Sequence, residues 1–336
     1  MKTKPLVDQS YLLSQLQQTA HAAVIQRPRE INPVELSPLR PGPGEVRVQL
    51  EGCGICASNL PVWEGREWFE YPREPGSPGH EGWGIVDAVG DGVREFKLRE
   101  RVTGLSYHAF ATHDIFRAED LVSLPDFLAD KPFPGEPLGC VMNIFDRSDI
   151  FEGMTVAVVG CEFLGLLLIQ LLKSAGCTVI AISRRNFSLE KAVQLGADHA
   201  IPMQDHEDII RQVKQFTGGA FCSRTIECTG KEWPLNLSIA ITGTRGKLIV
   251  AGFHQDGMRS VNVQMLNWRG IDLISAHERD PAQYIKGIKK SIQAIERGQM
   301  YPFDLITHQY SLENLSEGFQ DLQKRPEGFI KGIVII

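Results

Sequence analysis

The feature that most constrains the fold is an alternation of short apolar runs and helical stretches that begins at Met154. Five runs have the length and apolar content of buried strands: TVAVVG, CTVIAIS, RTIECTG, GKLIVAGF and IDLISA. Helical stretches such as SLEKAVQLGA and HEDIIRQVKQF stand between them. Strands that alternate with helices at this spacing predict βαβ units, and therefore an α/β fold with a doubly wound parallel sheet.

The chain before this region has a different pattern. Residues 22–125 are rich in glycine and proline, and alternating runs such as GEVRVQLEGCGI predict strands joined by tight turns. After the last apolar run come a long amphipathic stretch and the segment GFIKGIVII, whose strand is predicted to rejoin the first unit. We therefore predict a β-rich domain formed by 1–136 and 277–336, with an α/β domain, 137–276, inserted into it.

The first strand of the alternating region ends in a glycine-rich turn, VVGCEFLG. Gly160 and Gly165 occupy the first and third places of the GxGxxG pattern, in which the turn and the following helix hold the pyrophosphate of a dinucleotide. Glu162 stands at the second place, where glycine normally lets the backbone approach the phosphates. The turn predicts a dinucleotide site that Glu162 weakens without abolishing.

The end of the next strand indicates which dinucleotide binds. Where an acidic residue would bind the ribose 2′-hydroxyl of NAD, the sequence has Ser183, Arg184 and Arg185. Because arginine binds phosphate through paired hydrogen bonds, this composition favours NADP(H) over NAD(H). An exposed basic turn without a ligand is the alternative.

Candidate metal ligands precede the alternating region. Cys56 lies in GCGICASNL, His80 and Glu81 lie in PGHEG, and Glu136 opens EPLGC. Thiolate, imidazole and carboxylate all bind zinc, and a catalytic zinc site keeps three protein ligands. A histidine taken alone is more often structural, but this set together with the dinucleotide pattern predicts a zinc site.

These motifs resemble those of the medium-chain dehydrogenase/reductase superfamily, in its zinc-dependent alcohol and polyol dehydrogenase branch. GICASN resembles that family's GICGSD turn, PGHEG its GHE motif, and EPLGC the EPL motif of its sorbitol and threonine dehydrogenase-like members. The resemblance implies a GroES-like, β-rich catalytic domain and a Rossmann cofactor domain. It also implies that Cys56 and His80 are zinc ligands and that Glu81 or Glu136 is the third, directly or through water.

The resemblance further implies roles for single residues. Ser58 matches the hydroxyl that takes the alcohol proton, and Lys331 matches a basic position that reaches the pyrophosphate, where it would partly offset Glu162. Asn59 replaces the usual aspartate behind the zinc-bound histidine, and Pro61 stands where relatives often have a relay histidine. The four-cysteine lobe that holds a second zinc is missing from the sequence, so we expect one catalytic zinc per chain.

These inferences predict an oxidoreductase that transfers hydride between NADP(H) and a small alcohol, ketone or aldehyde. Four aromatic residues between the predicted ligands either wall a substrate pocket or lie on the surface: Trp63, Trp68, Phe69 and Tyr71. Two other functions stay open. One is a degenerate, non-catalytic family member that acts as a binding or structural protein, and the other is a transferase such as a methyltransferase.

Composition narrows the possible partners and the compartment. The net charge of -6 and the lack of a basic tract argue against nucleic acid, and no apolar run reaches the ~20 residues that span a bilayer. Residues 1–24 lack the apolar core of a secretory signal and are predicted to form a polar, partly helical extension. Seven cysteines, an odd number, fit reduced thiols in the cytoplasm. The resemblance implies a homodimer or homotetramer.

Overall fold

The computed structural model describes residues 19–255 and 257–336, which divide into two compact units. Unit 1 combines the chain up to Glu136 with Ile306–Ile336, and unit 2 is Pro137–Leu305. Most of the predicted N-terminal extension lies outside the described residues, and its last residues, from Ala20 onward, begin the first strand.

Unit 1 is rich in β-structure. Its strands are β1 (Ala20–Arg27), β2 (Glu30–Leu36), β3 (Glu45–Gly54), β4 (Gly82–Val89), β5 (Arg101–Gly104), β6 (His113–Arg117), β7 (Leu121–Ser123), β14 (Ile306–Ser311) and β15 (Lys331–Ile335), and its helices are α1 (Leu60–Glu64) and α9 (Leu315–Lys324). One sheet has the order β14-β15-β3-β4-β5-β7, with β6 also paired to β3, while β1 pairs with β2. Alternate residues of β3, such as Val46 and Val48, are buried in the core of this unit.

Unit 2 contains the predicted doubly wound sheet. Its strands are β8 (Thr155–Val159), β9 (Thr178–Ser183), β10 (His199–Pro202), β11 (Cys222–Glu227), β12 (Thr242–Val250) and β13 (Asp272–Ser275). Its helices are α2 (Gly135–Arg147), which begins at the boundary, α3 (Phe163–Ser174), α4 (Asn186–Gln194), α5 (His206–Phe216), α6 (Glu232–Ile241), α7 (Val263–Arg269) and α8 (Pro281–Glu296). The strand order β10-β9-β8-β11-β12-β13, with all neighbours parallel, confirms the predicted α/β class.

Two features of unit 2 differ from the sequence analysis. The short strand β10 was not predicted, because it is only four residues long and has a single buried apolar residue, Ile201. The second boundary was expected at 277, whereas the compact unit continues to Leu305 and includes α8. The reason is close packing of α8 on α2, in which a Cβ on Gly287 would lie 2.5 Å from the carbonyl oxygen of Gly139.

The aromatic residues between the predicted ligands have separate positions. Trp63 is 1% exposed and stacks on Phe319 with ring centroids 5.7 Å apart, so it belongs to the core of unit 1. Phe69 and Tyr71 pack against the same core, and Trp68 is 54% exposed. Trp63 is therefore unsuited to wall a substrate pocket. No helix in the described part of the chain is long and apolar enough to cross a membrane.

Candidate metal and cofactor sites

Three of the predicted metal ligands meet in unit 1. Cys56 follows β3, and His80 and Glu81 immediately precede β4, which pairs antiparallel with β3. The Cys56 sulfur, a ring nitrogen of His80 and a carboxylate oxygen of Glu81 lie within 4.8 Å of one another. Donors this close can bind one ion, and a thiolate, an imidazole and a carboxylate together suit zinc.

Glu81 is fully buried and has a cationic partner inside unit 1. Lys331 Nζ lies 2.7 Å from Oε1 and 2.5 Å from Oε2 of Glu81, and it also donates to the carbonyl of Ile55 at 3.1 Å. Gly54 makes room for this carboxylate, since a Cβ there would lie 1.7 Å from Oε2. Lys331 thus has a partner within unit 1, because β15 pairs with β3 and carries Lys331 to the predicted metal ligands. Its contact with the pyrophosphate stays a prediction.

Glu136 lies outside the group of three donors, at the start of α2. The first residue of that helix is held by Thr103, whose hydroxyl accepts the Gly135 N–H at 3.2 Å and donates to the carbonyl of Gly82 at 2.9 Å. Glu136 is nevertheless near enough for its charge to act on both His80 and Lys331. The structure therefore groups Glu81 with Cys56 and His80 and places Glu136 in their surroundings.

The electrostatics of this cluster favour a cation. Burial by itself lowers the pKa of His80, but the contact with Cys56 and the charges of Glu136 and Glu81 outweigh it and raise the pKa from 6.5 to about 10. Burial also lowers the pKa of Lys331, yet Glu81 and Cys56 raise it overall. Two basic groups that both favour their charged form indicate a strongly negative potential where a metal would bind.

Ser58 and Asn59 lie on the short 3₁₀ turn after Cys56. Ser58 Oγ donates to the Cys56 sulfur at 3.2 Å. Asn59 is buried, with Oδ1 accepting the Cys56 N–H at 3.3 Å and Nδ2 donating to the carbonyl of Pro78 at 3.1 Å. His80 Nδ1 is 2.9 Å from the same carbonyl, so a proton on Nδ1 bonded there leaves Nε2 as the ligand atom. The sequence analysis missed this carbonyl, which is placed to accept the hydrogen bond that orients His80.

In the glycine-rich turn of unit 2, the backbone geometry shows which positions require glycine. Gly160 has φ 101°, in the left-handed region where a side chain is strained. At Gly165 a Cβ would lie 2.0 Å from the carbonyl oxygen of Gly160. Glu162 has φ −94° and ψ −163°, an extended conformation open to any residue. The backbone at position 162 therefore does not require the missing glycine.

The carboxylate of Glu162 faces the next turn of the same unit. Arg185 Nη1 lies 3.0 and 3.3 Å from its two oxygens, and the buried Ser188 donates its hydroxyl to it at 3.3 Å. Arg185 directly precedes α4, and Ser188 lies in the first turn of that helix. Arg184 is exposed and Ser183 is buried. The negative charge of Glu162, at the predicted phosphate-binding turn, thus has Arg185 as a cationic partner within unit 2.

Unit 2 also contains a fully buried acid to which the sequence analysis gave no role of its own. Glu227, the last residue of β11, is fully buried and accepts the N–H groups of Thr229 at 2.6 Å and Gly230 at 3.0 Å. Its other oxygen is 3.0 Å from His254 Nε2. These bonds fasten two loops at the carboxyl edge of the sheet, where doubly wound sheets bind their ligands. The signal available in the sequence was an acidic residue at the end of an apolar strand.

Two family models match the chain. The alcohol dehydrogenase GroES-like domain matches residues 42–122, and the zinc-binding dehydrogenase model matches residues 164–293. The sorbitol dehydrogenase of Halalkalibacterium halodurans is 25% identical over an alignment that covers 91% of this chain and 93% of the relative. Both halves of the chain are therefore similar to dehydrogenase domains.

Solved structures of similar fold hold either nicotinamide cofactor. An alcohol dehydrogenase of Escherichia coli complexed with NADH has a TM-score of 0.82 and 22% identity, and the match covers 95% of this chain and 99% of that one. A protein of Sinorhizobium meliloti described as a zinc-binding dehydrogenase, bound to NADP, has a TM-score of 0.81 and 22% identity, with 95% and 100% covered. The fold accommodates both cofactors, so individual residues must distinguish them.

Proposed function

The chain belongs to the medium-chain dehydrogenase/reductase superfamily, in its zinc-dependent alcohol and polyol dehydrogenase branch, and we propose that it transfers hydride between NADP(H) and a small alcohol, ketone or aldehyde. The observation that carries the proposal is the convergence of Cys56, His80 and Glu81 within 4.8 Å. These donors lie on the domain that matches the alcohol dehydrogenase GroES-like family, and a zinc-dependent oxidoreductase needs such a cluster.

The residues of unit 1 suit one zinc ion. Cys56 and His80 would hold it, with Glu81 or Glu136 completing the set. When bound, zinc supplies a Lewis acid for the substrate oxygen, and the nicotinamide supplies or accepts the hydride. Because Lys331 Nζ contacts both oxygens of Glu81, it competes with a metal for that carboxylate.

Ser58 is the group that we propose to handle the proton. Its hydroxyl lies 3.2 Å from the Cys56 sulfur, so it is next to the ligand set where the substrate oxygen must sit. During oxidation Ser58 Oγ accepts the alcohol proton while passing on its own, and during reduction the transfer is reversed. Pro61 is buried in α1 and has no proton to relay, so water or the cofactor ribose takes the next step.

The proposed preference for NADP(H) rests on the residues at the end of β9. The strand closes with the buried Ser183 and is followed by Arg184 and Arg185, without the acidic residue that would bind a 2′-hydroxyl. Arg184 is exposed and therefore accessible to a ligand. Two guanidinium groups at this corner favour a phosphate.

The alternative functions have less support. The family assignment leaves no place for a methyltransferase. A degenerate member would be indicated by departures from the family motifs such as Glu162 and Asn59, but Glu162 is paired with Arg185, and Asn59 is bonded to the Cys56 N–H and the carbonyl of Pro78. No observation therefore favours a non-catalytic member.

Metal analysis and a substrate panel test the proposal. The purified protein should hold about one zinc per chain, and Cys56→Ala should remove both zinc and turnover. Cys177→Ala, which removes a buried thiol from unit 2, is the matched control and should keep both. Alcohols and carbonyls are then assayed with NADP(H) and NAD(H). Active protein without zinc would refute the metal site, and equal use of both cofactors would refute the preference.

A further inference from the structure

We infer that Glu162 is a positioning residue for Arg185, and that the two side chains act together to distinguish the 2′-phosphate of NADP(H) from the 2′-hydroxyl of NAD(H). The inference rests on the proposed function, since it concerns the same cofactor. It reverses the expectation from sequence, in which Glu162 only opposes the phosphates.

The geometry holds Arg185 in one place. Its Nη1 bonds to both carboxylate oxygens of Glu162, and the carboxylate is held in turn by the hydroxyl of Ser188. The guanidinium carbon also lies 5.9 Å from the centre of the Phe187 ring. The side chains of Arg185 and Glu162 are 19% and 26% exposed, so the pair is ordered by its surroundings yet still reachable by a ligand.

The charges are arranged to suit a phosphate. Arg185 neutralises Glu162, and the carboxylate lies beside the first turn of α4, where the helix dipole favours negative charge. The exposed Arg184 then leaves this corner with a net positive charge. A phosphate placed here meets the second arginine already ordered, whereas an unanchored arginine would first lose its rotamer freedom.

Glu162 can also act against the recognition of a 2′-phosphate. As a carboxylate bonded to Arg185, it can act as a substitute for the ligand phosphate and compete with it. Positioning raises the preference for a 2′-phosphate, and competition lowers it. Three observations favour positioning: the support from Ser188, the nearby Phe187 ring, and the partial burial of both charged side chains.

Binding of two cofactor fragments to the full-length protein separates these effects. Adenosine 2′,5′-bisphosphate and 5′-AMP differ only in the 2′-phosphate, so the ratio of their dissociation constants, measured by calorimetry, reports its recognition alone. We expect the unmodified protein to prefer the bisphosphate by about tenfold or more. Glu162→Gln should reduce this preference about three- to tenfold and leave 5′-AMP binding unchanged.

Two further variants and one control distinguish positioning from charge and from misfolding. Glu162→Asp keeps the charge but shortens the reach to Arg185, so it should also reduce the preference. In an Arg185→Ala background, Glu162→Gln should have no further effect, because the residue that it positions is gone. Glu190→Gln removes an exposed carboxylate from α4 and should change nothing. A merely structural role of Glu162 would change the binding of both fragments alike.

Each contrary outcome is decisive. A preference that rises or stays constant in Glu162→Gln overturns the inference, as does an effect that persists without Arg185. If Glu162→Gln fails to fold, Glu162→Asp and Ser188→Ala decide the matter, since both should reduce the preference. An unmodified protein that binds the two fragments equally overturns the NADP(H) preference together with this inference, while zinc-dependent hydride transfer is tested separately by metal content and turnover.

Discussion

The two units each contain a carboxylate paired with a basic side chain at a predicted site, but the pairs differ in burial. In unit 1 the side chains of Glu81 and Lys331 are 0% and 6% exposed. In unit 2 those of Glu162 and Arg185 are 26% and 19% exposed. The same kind of ion pair therefore lies in a low-dielectric interior in unit 1 and in a partly hydrated environment in unit 2.

Burial changes the consequence of losing a partner. A charge left alone in the interior keeps its full desolvation penalty, whereas a partly exposed charge is hydrated and screened. The Glu81–Lys331 pair should therefore matter mainly for folding and for the metal site. The Glu162–Arg185 pair should matter mainly for what binds beside it.

The largest expected effect is that of Lys331→Met. This change leaves the carboxylate of Glu81 buried without its cation, so the free energy of unfolding should fall by about 3–5 kcal/mol. Denaturation in urea, with a chelator present, measures the loss. Adding Glu81→Gln should recover most of it, and Lys324→Met on the exposed face of α9 is the matched control. Equal losses in the single and double variants would contradict this account.

The next effect is a rise of zinc affinity with pH. Because the pKa of His80 is raised to about 10, its ring holds a proton near neutral pH, and that proton must leave before the nitrogen binds zinc. Raising the pH removes the competing proton, so affinity should increase about tenfold per pH unit between roughly pH 6 and 8. Zinc titration against a chromophoric chelator checks this, and a flat profile would show that His80 binds zinc without releasing a proton.

A smaller effect is expected for Gly54→Ala. The new Cβ would lie 1.7 Å from Glu81 Oε2, so the carboxylate must move. Overpacking of this kind destabilises by about 1–3 kcal/mol, and it should also weaken zinc retention on dialysis. Glu162→Ala provides the contrast in unit 2, because it introduces no overlap. If Gly54→Ala retains both its stability and its zinc, the contact with Gly54 does not hold Glu81 in place.

The smallest effect is that of Arg185→Ala on stability. Partly exposed ion pairs contribute about 0.2–1 kcal/mol, so the free energy of unfolding should fall by no more than about 1 kcal/mol. The same denaturation experiment measures it beside Lys331→Met. A loss as large as that of Lys331→Met would break the comparison between the two pairs.

Much of the fold could be predicted from local patterns. The apolar runs of unit 2 became β8, β9, β11 and β12, because buried parallel strands read as continuous apolar segments, and the last run became the edge strand β13. The boundary at 277 was misplaced because the pattern of α8 shows that one face is buried without showing what covers it. The helical periodicity of apolar residues identifies the buried face of a helix but not the element that packs against it.

The sequence by itself determined the kinds of groups at both sites. The spacing of Gly160 and Gly165 predicted a phosphate-binding turn, and the stretches around Cys56 and His80 predicted metal ligands, because these signals depend on residues close in the chain. Only the tertiary structure decided the partners of the two carboxylates. Lys331 is 250 positions from Glu81 and reaches it because β15 lies beside β3, and Arg185 reaches Glu162 because β9 lies beside β8. Strand pairing sets such contacts, and the local patterns that predict the strands do not show which of their side chains meet.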